Sequence, residues 1–226
     1  MFLIIIYRGI FPELVQAATN YSTVIQQNPS DTLFLLNGRI WHNQFSKVQG
    51  DQYFLSGDFL KGSLSFNGRQ FNGLNLKYDI FNDELILKIE NQPIIFLNKE
   101  MADSFDLIFA DRYYHIINAG TDTLSTLRGF VNVLYDGPSA LYVKYFKQIL
   151  PLAVEGKYDL FYQDHHIYIR KGPEVIPVSG RRELLNLLED KKKEIREYLK
   201  SNRLKVKRKE PDTFIPVLEF YDSMSK

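Results

Sequence analysis

The stretch from Gly62 to Leu97 most constrains the fold, because three turn signals and one apolar alternation there agree on an antiparallel meander. It reads GSLSF, NG, RQFNGLNLKYDIF, ND, ELILKIE, NQ, PIIFL. Asn67-Gly68 tolerates positive φ at both central positions of a type I′ turn, so Phe66 is expected opposite Arg69 and Leu64 opposite Phe71. A second turn at Asn82-Asp83 predicts Phe81 opposite Glu84, which sets Ile80 against Leu85, Tyr78 against Leu87 and Leu76 against Ile89. A third at Asn91-Gln92 sets Ile89 against Ile94 and Leu87 against Phe96. All these apolar residues then share one face, and a slip of one residue would expose the set. The alternation changes parity at Asn72-Gly73, which predicts a β-bulge or bend at Gly73.

The same reasoning extends along the chain. Asn98 is expected to cap a short helical turn over NKEMAD. A turn at Asp111-Arg112 would pair Phe109 with Tyr114 and Leu107 with Ile116. Residues 118–128 lack any period and read as the longest internal loop. Asp136-Gly137-Pro138-Ser139 is a turn cluster between the strands Phe130–Tyr135 and Leu141–Ile149. A further hairpin, YDLFY with HIYIR, is expected about Asp164-His165.

From Ser179 the period becomes helical. Leu184, Leu188, Ile195 and Tyr198 fall on one face of a helix capped by Ser179 that stops near Ser201-Asn202. Pro211-Asp212 opens a last helix with Phe214, Ile215, Leu218 and Tyr221 on its apolar side. The expected fold is α+β: a single β-rich domain over residues 31–226, a meander of about eight to eleven strands curled into a barrel or sandwich. Residues 179–226 form its helical C-terminal part, two helices packed on the sheet.

Ahead of this domain, residues 1–18 combine an apolar run, Phe2 to Tyr7, with Val15-Gln16-Ala17, a small-residue pattern suited to signal-peptidase cleavage. That run is too short to span a bilayer as a helix. Residues 19–30, rich in Asn, Ser, Thr and Gln, read as a flexible lead-in.

Chemistry is sparsely signalled. With no cysteine there is neither a disulfide framework nor a thiolate nucleophile. No GxSxG, P-loop or GxGxxG motif occurs. Asp79, Asp83 and Glu84 could serve a carboxylate-dependent hydrolase, but turn chemistry explains them more cheaply. His165 and His166 are adjacent on a strand and point to opposite faces, so they do not make a metal pair. Trp41, the lone tryptophan, is read as packing. The net charge is +1, yet Arg181 to Glu210 holds twelve Lys or Arg against six Asp or Glu. Within it Lys191, Lys192, Lys193, Arg196, Lys200 and Arg203 are candidates for docking an envelope protein or an anionic surface. Interleaved Glu189, Asp190, Glu194 and Glu197 favour a merely solvated face. Nucleic acid is disfavoured, since no aromatic residues alternate with the charges.

Three segments together resemble a large group of uncharacterised exported proteins of the Bacteroidetes: KGSLSFNGRQFNGLNLKYDIFNDELIL, GFVNVLYDG with LYVKYFK, and SGRRELLNLLEDKKKEIREYLKSN with EFYDSM. The likeness spans most of residues 30 to 224. It implies a signal peptide, a β-rich body with this hairpin, and a helical C-terminus ending in an aromatic pair, here Phe220-Tyr221. It implies a periplasmic or outer-membrane-associated place, no known activity, no cofactor and no catalytic residue to transfer. The function expected is therefore that of a non-catalytic envelope protein with a structural or interaction role. The alternatives are a β-barrel binding a small apolar or sugar-like ligand, and the carboxylate hydrolase.

Overall fold

The computed structural model describes residues 34–120, 122, 125–151 and 158–224. The signal-like segment 1–18 and the lead-in 19–30 lie outside the described residues.

Eleven strands, all paired antiparallel, form one sheet. In chain order they are β1 (Arg39–Ile40), β2 (Leu60–Phe66), β3 (Arg69–Asp79), β4 (Glu84–Lys88), β5 (Ile95–Phe96), β6 (Ala102–Phe109), β7 (Arg112–Asn118), β8 (Phe130–Asp136), β9 (Ser139–Leu150), β10 (Leu160–Lys171) and β11 (Glu174–Pro177). Their spatial order is β1-β5-β4-β3-β2-β6-β7-β8-β9-β10-β11. Two meanders therefore run outward from a shared centre, where β6 returns to pair with β2 through Gly62↔Leu107 and Leu64↔Phe105. The sheet is not closed, which corrects the expectation of a barrel or sandwich: β1 and β11 are its free edges. Closure is unnecessary because helices cover the apolar face of the second half.

The register shows how far turn signals reach. At Asn67-Gly68 the pairing is as expected, Phe66↔Arg69 and Leu64↔Phe71, with φ of 50° and 73° in the turn. The predicted bulge also forms: the register shifts between Gly62 and Leu64, and Gly73 takes φ of 67°. The Asn98 cap is present, its Oδ1 accepting from Glu100 N at 3.1 Å. The second turn differs by two residues, with Tyr78↔Leu85 and Leu76↔Leu87. The physical reason is Asp79, whose carboxylate accepts from Phe81 N (3.0 Å), Asn82 N (2.9 Å) and Asn82 Nδ2 (2.9 Å), which makes a four-residue loop of Ile80 to Asp83. A shift of two preserves the buried face.

Ala110-Asp111, both at positive φ, form the next hairpin turn, so Leu107 pairs with Tyr114 and Phe105 with Ile116. The turn therefore falls one residue earlier than the expected Asp111-Arg112. The third turn is off by one residue: Leu87 pairs with Ile95 and Ile86 with Phe96. Phe96 consequently moves to the opposite face, beside Tyr53 and Ile86, with the Arg39 guanidinium 4.0 Å over its ring. Trp41 packs half-buried against this smaller cluster.

The expected hairpin about Asp164-His165 is not a turn. β10 runs unbroken against β9 from Leu160↔Leu150 to Lys171↔Ser139. A ladder of this length outweighs a weak local turn signal, and the true reversal comes at Gly172, φ 59°, before Pro173.

The inner face of the first half is filled by rings packed edge to face. Tyr78, Phe105 and Phe130 lie 5.1–5.7 Å apart, and Phe54 stands 4.5 Å from Tyr145 and 5.6 Å from Tyr114. Over the second half pack α1 (Arg181–Leu187), α2 (Lys192–Ser201) and α3 (Ile215–Met224). They bury Leu184, Leu188, Ile195, Leu199, Val217 and Leu218 against Leu141, Ile167 and Ile169. Both expected helical regions form, and a 3₁₀ turn at Glu189–Lys191 divides the first into α1 and α2. Ser179 is not its cap, which corrects the expectation: Gly180 holds the N-cap position with no side-chain cap bond, while Ser179, one residue earlier, donates from N and Oγ to Glu183 Oε2. Pro211 opens the last helical region as expected, through a 3₁₀ turn ahead of α3. Tyr198 stacks flat on Phe220 at 4.1 Å. Asp222 then latches α3 to the β8–β9 turn, accepting from Tyr135 OH at 2.8 Å and Ser139 N at 3.0 Å. Burial and this bond push the Tyr135 hydroxyl up to about 12.

Two substitutions test this packing. Leu87 is fully buried, and Leu87→Ala is expected to cost about 2–5 kcal/mol in chemical denaturation. At Gly62 an added Cβ would lie 2.0 Å from the Asp106 carbonyl oxygen of β6. Gly62→Ala should therefore prise β2 from β6 and destabilise by about 1–3 kcal/mol or more, whereas a change below half a kcal/mol would refute this close approach.

Candidate functional site

The densest polar arrangement lies where the sheet curls back on itself. β8 and β9 pair only between Asn132↔Val143 and their connecting turn. Past that point the β3–β4 turn contacts both strands. Lys147 N of β9 donates to the Ile80 carbonyl at 3.3 Å, and Phe130 N of β8 donates to Asp83 Oδ1 at 3.4 Å. Asp83 is the hub. Its Oδ1 also accepts from Tyr78 OH at 2.7 Å, and its Oδ2 accepts from Lys99 Nζ and Lys144 Nζ, both at 2.6 Å. Lys144 donates further to the Phe130 carbonyl at 3.0 Å. Gly129, at φ 68°, has no room for a Cβ, which would sit 2.0 Å from Asp83 Oδ2 and 2.8 Å from Lys144 Nζ.

The electrostatics follow from this crowding. Burial pushes the Asp83 carboxyl up, but Lys144 together with bonds from Lys99 and Tyr78 outweighs it and holds the group below the ordinary carboxylate value. Burial lowers the Lys144 ammonium despite Asp83, helped by the charges of Lys99 and Arg128. Tyr78, buried beside Asp83, is raised well above an ordinary phenol.

A second feature is a cleft of about 340 Å³ at the outer edge of β10. His166, Tyr168, Pro177, Val178, Glu183 and Arg208 line it. Its ionic groups are already engaged within the chain. Arg208 donates to both Asp164 oxygens at 3.0 Å and to the His165 carbonyl at 2.8 Å, while His165 Nε2 meets the Arg208 carbonyl at 2.7 Å. The Arg208 bond is the main cause of an Asp164 carboxyl held below its usual value. Glu183 is held by Ser179. What remains for a ligand is ring surface and aliphatic floor.

The carboxylates singled out in the sequence do not share a cleft. Asp79 is fully buried and spends its bonds on its own turn; burial raises its carboxyl against the lowering effect of Asn82 and Phe81. Glu84 pairs with Arg39, and Asp83 is the hub just described. His165 and His166 lie on opposite faces as expected, His166 stacking on Phe146 at 4.8 Å. The basic candidates do not converge either. Lys193, Arg196, Lys200 and Arg203 are exposed, while Lys191 and Lys192 are half-buried, with Lys192 donating to Asn186 at 3.0 Å.

On the outer face Asp106 bridges Ser63 Oγ (2.5 Å) and His115 Nδ1 (2.7 Å). These are the residue types of a catalytic triad in the wrong order, because a nucleophilic serine must bond to the histidine and here both bond to the carboxylate. Among the described residues no group of His, Asp or Glu is arranged to hold a metal ion. No described helix is long and apolar enough to cross a membrane. The chain matches no family model, no curated protein and no solved structure.

The residues that do converge, Lys99, Lys144, Tyr78 and Asp83, come from four separate segments. No spacing in the sequence signals them; the usable hint is Asp83, a charged residue in a turn between two strongly apolar strands.

If Asp83 is the lock between the two halves, Asp83→Asn removes the charge that both lysines require. The expected loss is about 3 kcal/mol, the lower end for a broken buried pair because the side chain is about one quarter exposed. Since the folded carboxyl titrates below its unfolded value, its contribution is complete above the ordinary carboxylate range and disappears as pH falls through the folded value. Asp83→Asn should therefore flatten the acid limb of stability measured against pH. An unchanged acid limb would show that Asp83 is not the lock.

Proposed function

We propose that the chain is a non-catalytic cell-envelope protein with a structural or interaction role. One observation supports this above the others: the carboxylates that could serve as acid or base are engaged within the fold. Asp79 caps its turn, Asp83 binds two lysines, Asp106 ties Ser63 to His115, and Arg208 ties Asp164 to His165. A general acid or base needs an unspent proton site within reach of substrate, and a nucleophile needs an adjacent base. Neither is present among these groups. The signal-like residues 1–18 and the likeness to exported Bacteroidetes proteins support placement in the envelope.

The contact surface is the β10 edge, where His166 and Tyr168 present rings beside the cleft. A small-ligand role is a second reading, favoured by the volume of that cleft, which lies within the usual range for ligand sites. On that reading the ligand sits at the sheet edge, because the inner face is filled by Phe54, Tyr78, Phe105 and Phe130.

A photo-crosslinking residue in place of His166, compared with one in place of Lys193, tests the contact surface in cells expressing the full chain. A discrete adduct at His166 and none at Lys193 is expected, in an envelope fraction. Adducts at neither position, or a chain confined to the cytoplasm, would end this reading.

A further inference from the structure

The hub around Asp83 has a property beyond locking the fold: it is the one place among the described residues where two lysines converge on one carboxylate. The other described Lys or Arg ion pairs each use a separate carboxylate, as in Lys147 with Asp51, Lys171 with Asp190, Lys207 with Glu210 and Arg208 with Asp164. Here Lys99 and Lys144 share the single oxygen Oδ2 of Asp83. The other oxygen is occupied by Tyr78 OH and Phe130 N, so Asp83 has nothing more to offer either ammonium.

A third cation joins them. Arg128 immediately precedes Gly129, whose backbone lies against both Asp83 Oδ2 and Lys144 Nζ. Arg128 is exposed and makes no hydrogen bond or ion pair among the described residues. Its charge is close enough to act on the Lys144 ammonium and on the Tyr168 hydroxyl.

We propose that Lys99, Lys144 and Arg128 form a binding site for a phosphate group, with Asp83 positioning the two lysines without neutralising the site.

The hydrogen-bond inventory supports the chemistry. An ammonium has three donors. Lys99 uses one on Asp83, and Lys144 uses one on Asp83 and one on Phe130 O. Arg128 has its whole fork free, the geometry that suits a phosphate bidentately. Lys99 and Lys144 are 27% and 19% exposed, so they are shielded yet reachable. In such a place an added anion gains more than on open surface, where water and salt screen it. The exposed stripe of α2 differs on each count: Lys193, Arg196 and Lys200 are separate, solvated and interspersed with Glu194 and Glu197.

The test uses the full chain with inorganic phosphate, read by isothermal titration calorimetry and by melting temperature against chloride at matched ionic strength. A saturable, phosphate-specific binding heat and rise in melting temperature are expected. Arg128→Gln and Lys99→Gln should each weaken binding by about tenfold or more, the loss expected for one charged hydrogen-bond donor. Because Arg128 is exposed and makes no hydrogen bond or ion pair among the described residues, Arg128→Gln should melt normally in chloride, which separates loss of binding from loss of structure. Co-sedimentation with phosphatidylcholine vesicles containing phosphatidic acid distinguishes the source of the phosphate. Vesicle binding lost in Arg128→Gln assigns a lipid headgroup, and binding of free phosphate without co-sedimentation assigns a soluble phosphate-bearing ligand. Affinity unchanged in both variants, or no response to either phosphate or vesicles, would overturn the proposal. Neither result would touch the crosslinking reading of the β10 edge, which involves other residues.

Discussion

The structure depends on one half-buried carboxylate more than on any other group. In the open sheet the stretch from β1 to β7 and the stretch from β8 to β11 meet continuously only through three residue pairs between β7 and β8. A short junction of that kind hinges easily. The β3–β4 turn removes the freedom by reaching β8 through Asp83 and β9 through Ile80. Phe81, in the same turn, packs edge to face on Phe161 of β10 at 5.5 Å, with Phe45 filling the third side. The ring contacts supply burial without direction. Asp83 supplies direction, since its two oxygens accept from a phenol, two ammoniums and a backbone amide at defined angles. Gly129 is required at the same point because any side chain there would displace the carboxylate it faces.

Local signals in the sequence were sufficient where the residues that set the structure lie within a few positions of one another. Asn67-Gly68, the bulge at Gly73 and the Asn98 cap all follow from side-chain or backbone preferences acting over two to four residues. Registers that depend on a strand's other neighbour were not accessible in this way. The β2–β6 pairing, Gly62↔Leu107 and Leu64↔Phe105, is one such register, and neither strand's own turns report it. Asp79 shows a subtler limit, because an Asx-type carboxylate can lengthen a turn by two residues without altering which face is buried. At Asp164-His165 polar residues in mid-strand mimic a turn, and Arg208, forty-four residues away in sequence, satisfies them. The hub residues were illegible for the same reason: convergence of Lys99 and Lys144 on Asp83 is a product of the topology. The cluster visible in the sequence, on α2, stays dispersed on a helix surface.

The polar groups also show what kind of protein this is physically. Burying a charge is costly unless it is paired and hydrogen-bonded. The fold meets that demand at junctions: Asp83 at the β3–β4 turn and Asp222 between α3 and the β8–β9 turn. Lys77 is a further case, its ammonium donating to the Gly57 carbonyl between the rings of Tyr53 and Phe59, 4.3 and 4.4 Å from their centroids. Burial lowers the Lys77 pKa although Asp58 and Asp51 oppose this. These are fastenings between segments distant in sequence.

An open sheet must also protect its edges, because unpaired strand amides template association with other chains. One edge, β1, is only two residues long. At the other, β11 covers β10 from Tyr168 to Lys171 only, which leaves the first part of a twelve-residue strand exposed. Three separate pieces of chain cover that remainder. Gln49 exchanges backbone bonds with Asp159 and Phe161, Val178 N donates to Ile167 O, and the Arg208 side chain donates to His165 O. Asp164 takes the His165 amide itself. The segment between α2 and α3 is thereby more than a connection, since Arg208 blunts one of the two twelve-residue strands of the sheet near its midpoint. The cleft at the β10 edge exists because this cover is made of side chains and single bonds instead of a twelfth strand, and the space left beside them is lined by His166 and Tyr168.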